Sequence, residues 1–304
     1  MQEAIEQPDP DVLTRIVALP CWSGPVQATA LGGGMTNRNY LVRDAGTRYV
    51  VRLGEDLPAH GIVRWHELAA ARAAFAAGLS PEVVHAQSGV LVSRFVDGVT
   101  LTPHDVRQPS RLAPLAALLR QCHQGVPRHL SGPVLMFWVF QIIRNYLVLL
   151  AGQAPTLLHA QLPRCGAMVA QLEQAVGPVD IVFGHNDLLA GNLIDDGTRL
   201  WLIDWEYAGF NSPLFDLANL SVNNGFEPMQ DRELLHHYFG QAADVRRWRA
   251  FVAMRCASVL RETLWAVVSH HTSRIAFDYA TYAHDWHSRL DSAWEAFVCC
   301  PTPD

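Results

Sequence analysis

Apolar positions recur with period two in a few early stretches and with a period near 3.6 over most of the rest of the chain. Residues 11–19 read as a short capped helix. An apolar run then ends at Leu31 and meets Gly32-Gly33-Gly34-Met35-Thr36-Asn37. Alternating residues follow at 40–43 and, past the turn Asp44-Ala45-Gly46, at 49–53. Strand, glycine turn, strand, tight turn, strand predicts an antiparallel meander rather than a βαβ unit. Residues 60–78 are alanine-rich and stop at Gly78 before Pro81, which predicts a helix of about five turns. Two more strands are expected at 82–85 and 90–95, after which Asp97-Gly98 opens a loop.

The pattern changes there. From Pro109 onward it is mostly helical, with a loop at 125–133 and an apolar helix over 134–150. One β-rich segment breaks the helices, at 180–184, 192–195 and 199–204. A small β-rich front and a larger helical back predict an α+β chain of two lobes. Their ranges are 1–96 and 97–304.

Composition removes several functions. All 23 basic residues are arginine and none is lysine. This excludes a Schiff-base lysine, a lysine general base and a G-x-x-x-x-G-K-[ST] loop. Taken alone, it also speaks against protein-kinase-like chemistry, where a strand lysine holds the phosphates of ATP. The net charge of −6 and the lack of a basic run beyond Arg246, Arg247 and Arg249 argue against nucleic-acid binding. Six cysteines with no C-x-x-C spacing point to packed thiols in a reducing compartment. The start MQEAIEQPDP has no apolar signal core, and Gln141, Arg144 and Asn145 break the longest apolar run. A cytoplasmic protein with no membrane insertion is expected.

The densest chemistry lies in H-N-D-L-L-A-G-N, from His185 to Asn192, and in I-D-W-E-Y, from Ile203 to Tyr207. If the flanking strands pair, Asp187, Asn192 and Asp204 converge. Two carboxylates and an amide oxygen are hard ligands suited to Mg²⁺, and a carboxylate left free can orient and deprotonate an alcohol. Any one of these residues fits a polar turn; the set at this spacing fits a catalytic loop. The adjacent pairs His236–His237 and His270–His271 point about 100° apart on helices, which leaves a metal-dependent hydrolase without a second ligand cluster.

These two motifs resemble the choline/ethanolamine kinase branch of the aminoglycoside phosphotransferase superfamily, and the similarity extends over most of the chain. Gly32–Asn37 resembles its nucleotide loop, and Phe215-Asp216-Leu217-Ala218-Asn219 the start of the helix behind its site. The resemblance implies a protein-kinase-like fold, ATP and Mg²⁺ as cofactors, and a small cationic alcohol as substrate. It assigns the catalytic loop to His185, Asp187 and Asn192, with Asp187 as base and Asn192 and Asp204 as metal ligands. Gly33, Gly34, Thr36 and Asn37 would close over phosphates. Arg52 would stand in for the kinase lysine and pair with Glu67, while Phe95 and Val96 would meet the adenine. Asp216 would brace the loop.

Choline needs ring faces, because a quaternary ammonium has no N–H to donate. The resemblance puts Tyr207, Trp265 and Tyr282 around the acceptor, with Glu206 adding negative charge. Animal choline kinases carry a pocket tryptophan where this chain has Glu262, and a second carboxylate suits a primary amine such as ethanolamine equally well. The readings left open are an aminoglycoside or thiamine kinase of the same fold, and a nucleotide-binding pseudokinase. A homodimer is among the assemblies the resemblance allows.

Overall fold

The architecture comes from a computed structural model that describes residues 8–32, 34–153 and 157–302. After helix α1 (Pro10–Val17), five strands form one antiparallel sheet: β1 (Gln27–Leu31), β2 (Arg38–Asp44), β3 (Thr47–Leu53), β4 (Val83–Gln87) and β5 (Val90–Arg94). Their order is β1-β2-β3-β5-β4, which is the meander expected. Alternation gives each face its task. Tyr49, Val51 and Leu53 point into a small core with Tyr40, Val42, Val92 and Ile16, so Arg52, between two of them, points to the other face.

Helix α2 (Arg64–Ala76) starts four residues later than its pattern predicts, because Pro58–His60 forms a separate 3₁₀ turn closed by Gly61 in the left-handed region. Its alanines pack into the larger core of the C-terminal part, while the sheet keeps its own. A short strand β6 (Val99–Thr100) leads into helices α3 (Pro103–Val106), α4 (Pro109–Gly125), α5 (Val139–Ala151) and α6 (Leu162–Val176). The apolar stretch from 134 is helical only from Val139. Residues 135–137 run extended beside Phe210, exchanging Phe210 N–H to Leu135 O at 3.0 Å and Phe137 N–H to Phe210 O at 2.9 Å.

Four short strands then build the site: β7 (Val182–Gly184), β8 (Leu193–Asp195), β9 (Leu200–Leu202) and β10 (Gly209–Asn211). β7 pairs with β10, and β6 with β8 and β8 with β9, all antiparallel. Helices α7 (Pro213–Asn224), α8 (Pro228–Phe239), α9 (Val245–Thr272) and α10 (Tyr279–Val298) complete the chain. α9 is the axis of the large core and is buried almost continuously from Ala250 to Ser269. Among the described residues no helix is long and apolar enough to cross a membrane.

Candidate active site

The loop after β7 is held from below. Ser212 caps α7, its Oγ accepting the Leu214 N–H, and Pro213 opens the helix, which sets Asp216 in the first turn. The Asp216 carboxylate accepts the N–H of His185 at 2.8 Å, the N–H of Asn186 at 2.7 Å and His123 Nε2 at 2.9 Å. Burial alone would raise its pKa. The hydrogen bond and charge of His123, with help from His185, outweigh burial and lower it. Asn186 takes the left-handed conformation, and its Nδ2 donates to Tyr207 O at 3.0 Å, tying the loop to the second motif. Asn219 Oδ1 accepts the Leu188 N–H at 2.6 Å.

This scaffold presents Asp187, Asn192 and Asp204 to one cavity of about 590 Å³. Among the described residues no hydrogen bond ends on the Asp187 carboxylate. Burial lifts its pKa well above the usual carboxylate range; Arg261 opposes this, while Glu262, Asp204 and Glu206 add to it. Asn192 spends Nδ2 on Asp187 O at 2.9 Å, leaving Oδ1 available. Asp204 is left-handed, and its Oδ1 is buried without a hydrogen bond, 2.9 Å from Arg52 Nη1. These hard oxygens fit a nucleotide-bound Mg²⁺. Among the described residues no group of three His, Cys, Asp or Glu could hold a metal alone, so water and phosphate would complete the shell.

Arg52 Nη1 also pairs with Glu67, which is 3% exposed and therefore no solvated helix glutamate. Burial opposes the arginine's charge, but Asp204, Glu67 and Glu206 more than restore it and raise its pKa. Both contacts use Nη1, which leaves the rest of the guanidinium fork for phosphate oxygens.

The glycine turn is tied to the same centre. Thr36 Oγ1 donates to Glu206 Oε1 at 2.7 Å, and Asn37 Nδ2 to Glu206 Oε2 at 2.8 Å. Arg64 Nη1 bridges Glu206 Oε2 at 3.0 Å and Glu67 Oε2 at 2.7 Å. Gly34 is required here, since a Cβ would fall 2.2 Å from Asn37 O.

From α9, Arg261, Glu262 and Trp265 line the same cavity, Trp265 lying four residues after Arg261 and three after Glu262. Trp265 Nε1 donates to Tyr207 Oη at 2.8 Å. Tyr282 Oη donates to Glu262 Oε1 at 2.8 Å, and its ring meets Trp265 edge-on at 6.1 Å between centroids. Arg261 Nη1 donates to Glu262 Oε2 at 2.7 Å, with its Cζ 4.5 Å from the Tyr207 ring centroid.

A cleft with an uncommitted carboxylate, an amide–carboxylate pair, a clamped arginine and a ring-lined end is built to move a charged group onto an alcohol. Residues 27–251 match the family model described as the phosphotransferase enzyme family. The chain belongs to that family. It also belongs to its choline/ethanolamine kinase branch: a structure of a choline/ethanolamine kinase family protein from Mesorhizobium loti is 30% identical, with a TM-score of 0.74, covering 95% of this chain and 96% of the other. Protein LicA of Haemophilus influenzae is 29% identical over 276 residues, 86% of this chain and 78% of the relative. Ethanolamine kinase 2 of Mus musculus is 27% identical over 311 residues, 92% and 80% of the two chains.

Within this phosphotransferase fold the residues singled out from sequence mostly meet. Gly34, Thr36, Asn37, Arg52, Glu67, Phe95 and Val96 line the cavity together with Glu206, Tyr207, Glu262 and Trp265. Gly33 lies outside the described residues. Three placements correct the expectation. His185 is fully buried; its Nε2 donates to Ile203 O at 2.9 Å and its Nδ1 accepts the Asp187 N–H at 3.3 Å. Burial lowers its pKa, and both ring nitrogens are spent on the backbone of the loop, which they shape. Glu206 has both oxygens engaged by the glycine turn and Arg64, which makes it a clasp between the two parts. Tyr282 stands behind Glu262, outside the cavity lining.

Sequence reasoning missed Arg64, His123 and Arg261. Arg64 had a signal in its i, i+3 spacing to Glu67, and Arg261 in being a cation inside a long apolar helix.

Proposed function

We propose that this chain transfers the γ-phosphoryl group of ATP to the hydroxyl of a small ammonium alcohol, choline or ethanolamine. The observation that carries this reading is that Asp187, Asn192 and Asp204 share one cavity with Trp265, Tyr207 and Glu262. The names of its relatives support it.

Asp187 orients the acceptor hydroxyl and takes its proton as the oxygen attacks phosphorus and the bond to the bridging oxygen of ADP breaks. Asn192 Oδ1 and the Asp204 carboxylate would hold Mg²⁺, which when bound neutralises charge on the phosphates. Arg52, fixed by Glu67, grips phosphate oxygens without losing its charge, and the backbone of the glycine turn covers them. Phe95 and Val96 are the adenine contacts. Trp265 offers a ring face, and Glu262 a negative charge, to the ammonium. In this reading residues 1–96 serve the nucleotide, and 97–304 carry the catalytic groups and bind the acceptor. The protein works in the cytoplasm, where a reducing medium suits its free thiols.

The test is ADP release from Mg-ATP over choline, ethanolamine, thiamine and kanamycin. Turnover with either of the first two supports the reading. Turnover with only thiamine or kanamycin moves the substrate elsewhere in the family, and silence on all four contradicts it.

A further inference from the structure

The first turn of α10 touches the glycine turn and the acceptor residues at once. Tyr279 is buried and does not line the cavity, yet its Oη donates to Met35 O at 2.8 Å across 244 residues of chain. Met35, next to Gly34, does line it. Ser273 Oγ lies 2.8 Å from the same Oη and accepts the Ile275 N–H at 3.1 Å. A phenol has one proton, and here it goes to Met35, so Ser273 is the donor to Tyr279. Three hydrogen bonds thus run in line from Ile275 through Ser273 and Tyr279 to Met35, each polarising the next. The Tyr279 ring meets the Trp265 ring at 6.0 Å between centroids. One turn further along α10, Tyr282 holds Glu262.

We propose that Tyr279 is a positioning residue that couples the two substrates. An acceptor seated against Trp265 and Glu262 fixes the first turn of α10, and the Tyr279 hydroxyl then holds the glycine turn in place over the phosphates. Glu206 ties the same turn to the segment of Asp204; Tyr279 adds a tie that runs to the acceptor residues. Such coupling is reciprocal, so ATP tightens the acceptor by the factor by which the acceptor tightens ATP. This inference rests on the phosphotransferase reading above and adds to it a link between nucleotide and acceptor.

The experiment measures the Kd of Mg-AMP-PNP, which does not pass on its terminal phosphoryl group, with and without saturating acceptor. ADP release from Mg-ATP with choline and with ethanolamine is followed beside it, and the better acceptor is the one used. In the wild type the Kd is expected to fall at least about fivefold when the acceptor is added, the scale of one hydrogen bond. Y279F keeps the ring and loses the hydroxyl; Y279L loses both. In each, checked for folding by thermal melting, the ratio of the two Kd values is expected to drop below about twofold. A merely structural role would weaken nucleotide binding equally with and without acceptor and leave the ratio at the wild-type value. That result in either folded variant overturns the coupling. A wild type that turns over an acceptor yet binds the analogue equally well without it also overturns the coupling and leaves the phosphotransferase reading standing. Silence with both acceptors overturns both readings.

Discussion

Glu206 accepts a hydrogen bond from Thr36 Oγ1 at 2.7 Å across 170 residues of chain, so the glycine turn and the segment that carries Asp204 share one buried carboxylate. Asn37 and Arg64 take its second oxygen. Replacing it should leave Arg64 to Glu67 and Glu55 O, take one carboxylate from that buried network and free the turn. Glu206→Ala is expected to lose about 3 kcal/mol of stability, the scale for breaking one partner of a buried charged network. The KM for ATP should rise at least about tenfold. Thermal melting and nucleotide titration check this; an unchanged KM would mean the clasp has no part in closing the turn.

Arg52 spends one nitrogen on two carboxylates, Glu67 and Asp204. A lysine could replace the charge but not the fork. Arg52→Lys should therefore raise the KM for ATP by about an order of magnitude, close to the effect of Arg52→Ala. Equal KM values for Lys and Arg would make the absence of lysine from this chain a matter of composition alone.

The Asp216 brace acts on Asp187 without touching the cavity. Asp216→Asn puts an N–H where three donors converge, so kcat is expected to fall by about 10²-fold with ATP affinity retained. Gly184→Ala attacks the same contact, because its Cβ would lie 3.1 Å from Asp216 Oδ2 and 2.8 Å from Asn186 Oδ1. Steady-state kinetics on both variants should show kcat moving and KM holding; a change confined to KM would refute the assignment.

Stability should decline in mild acid. His60 is buried against Tyr146 and Ser269, and burial pushes its pKa down to about 3, with Arg261 adding to the shift. Between that value and about 6.5 the unfolded chain binds a proton that the folded chain refuses. This contribution is complete above the upper limit and is lost as pH falls, with a slope approaching 1.4 kcal/mol per pH unit. Urea melts across this range check it: in His60→Gln the slope should be shallower by about one proton.

The meander, the helical back and the catalytic motifs were legible because their signals are local: period-two alternation around Val51, alanine density before Gly78, and polar residues packed into His185–Asn192. Three features were hidden because their partners are distant in sequence. β6 is two residues long and exists only through β8, ninety-odd residues away. Residues 135–137 read as helix because they are apolar, yet Phe210 draws them into an extended pairing. Glu206 reads as a free negative charge until the fold brings Thr36, Asn37 and Arg64 against it.

If Asp187 is the base for phosphoryl transfer to an ammonium alcohol, its carboxylate is needed for the transfer and not for binding ATP. Phosphorus NMR of Mg-ATP with choline or ethanolamine, run with the wild-type protein and with Asp187→Asn, tests it directly. The wild type should convert ATP to ADP with a new phosphomonoester signal. The variant should bind ATP normally and turn over at least about 10³-fold more slowly. A variant that forms phosphomonoester at the wild-type rate would contradict this role for Asp187.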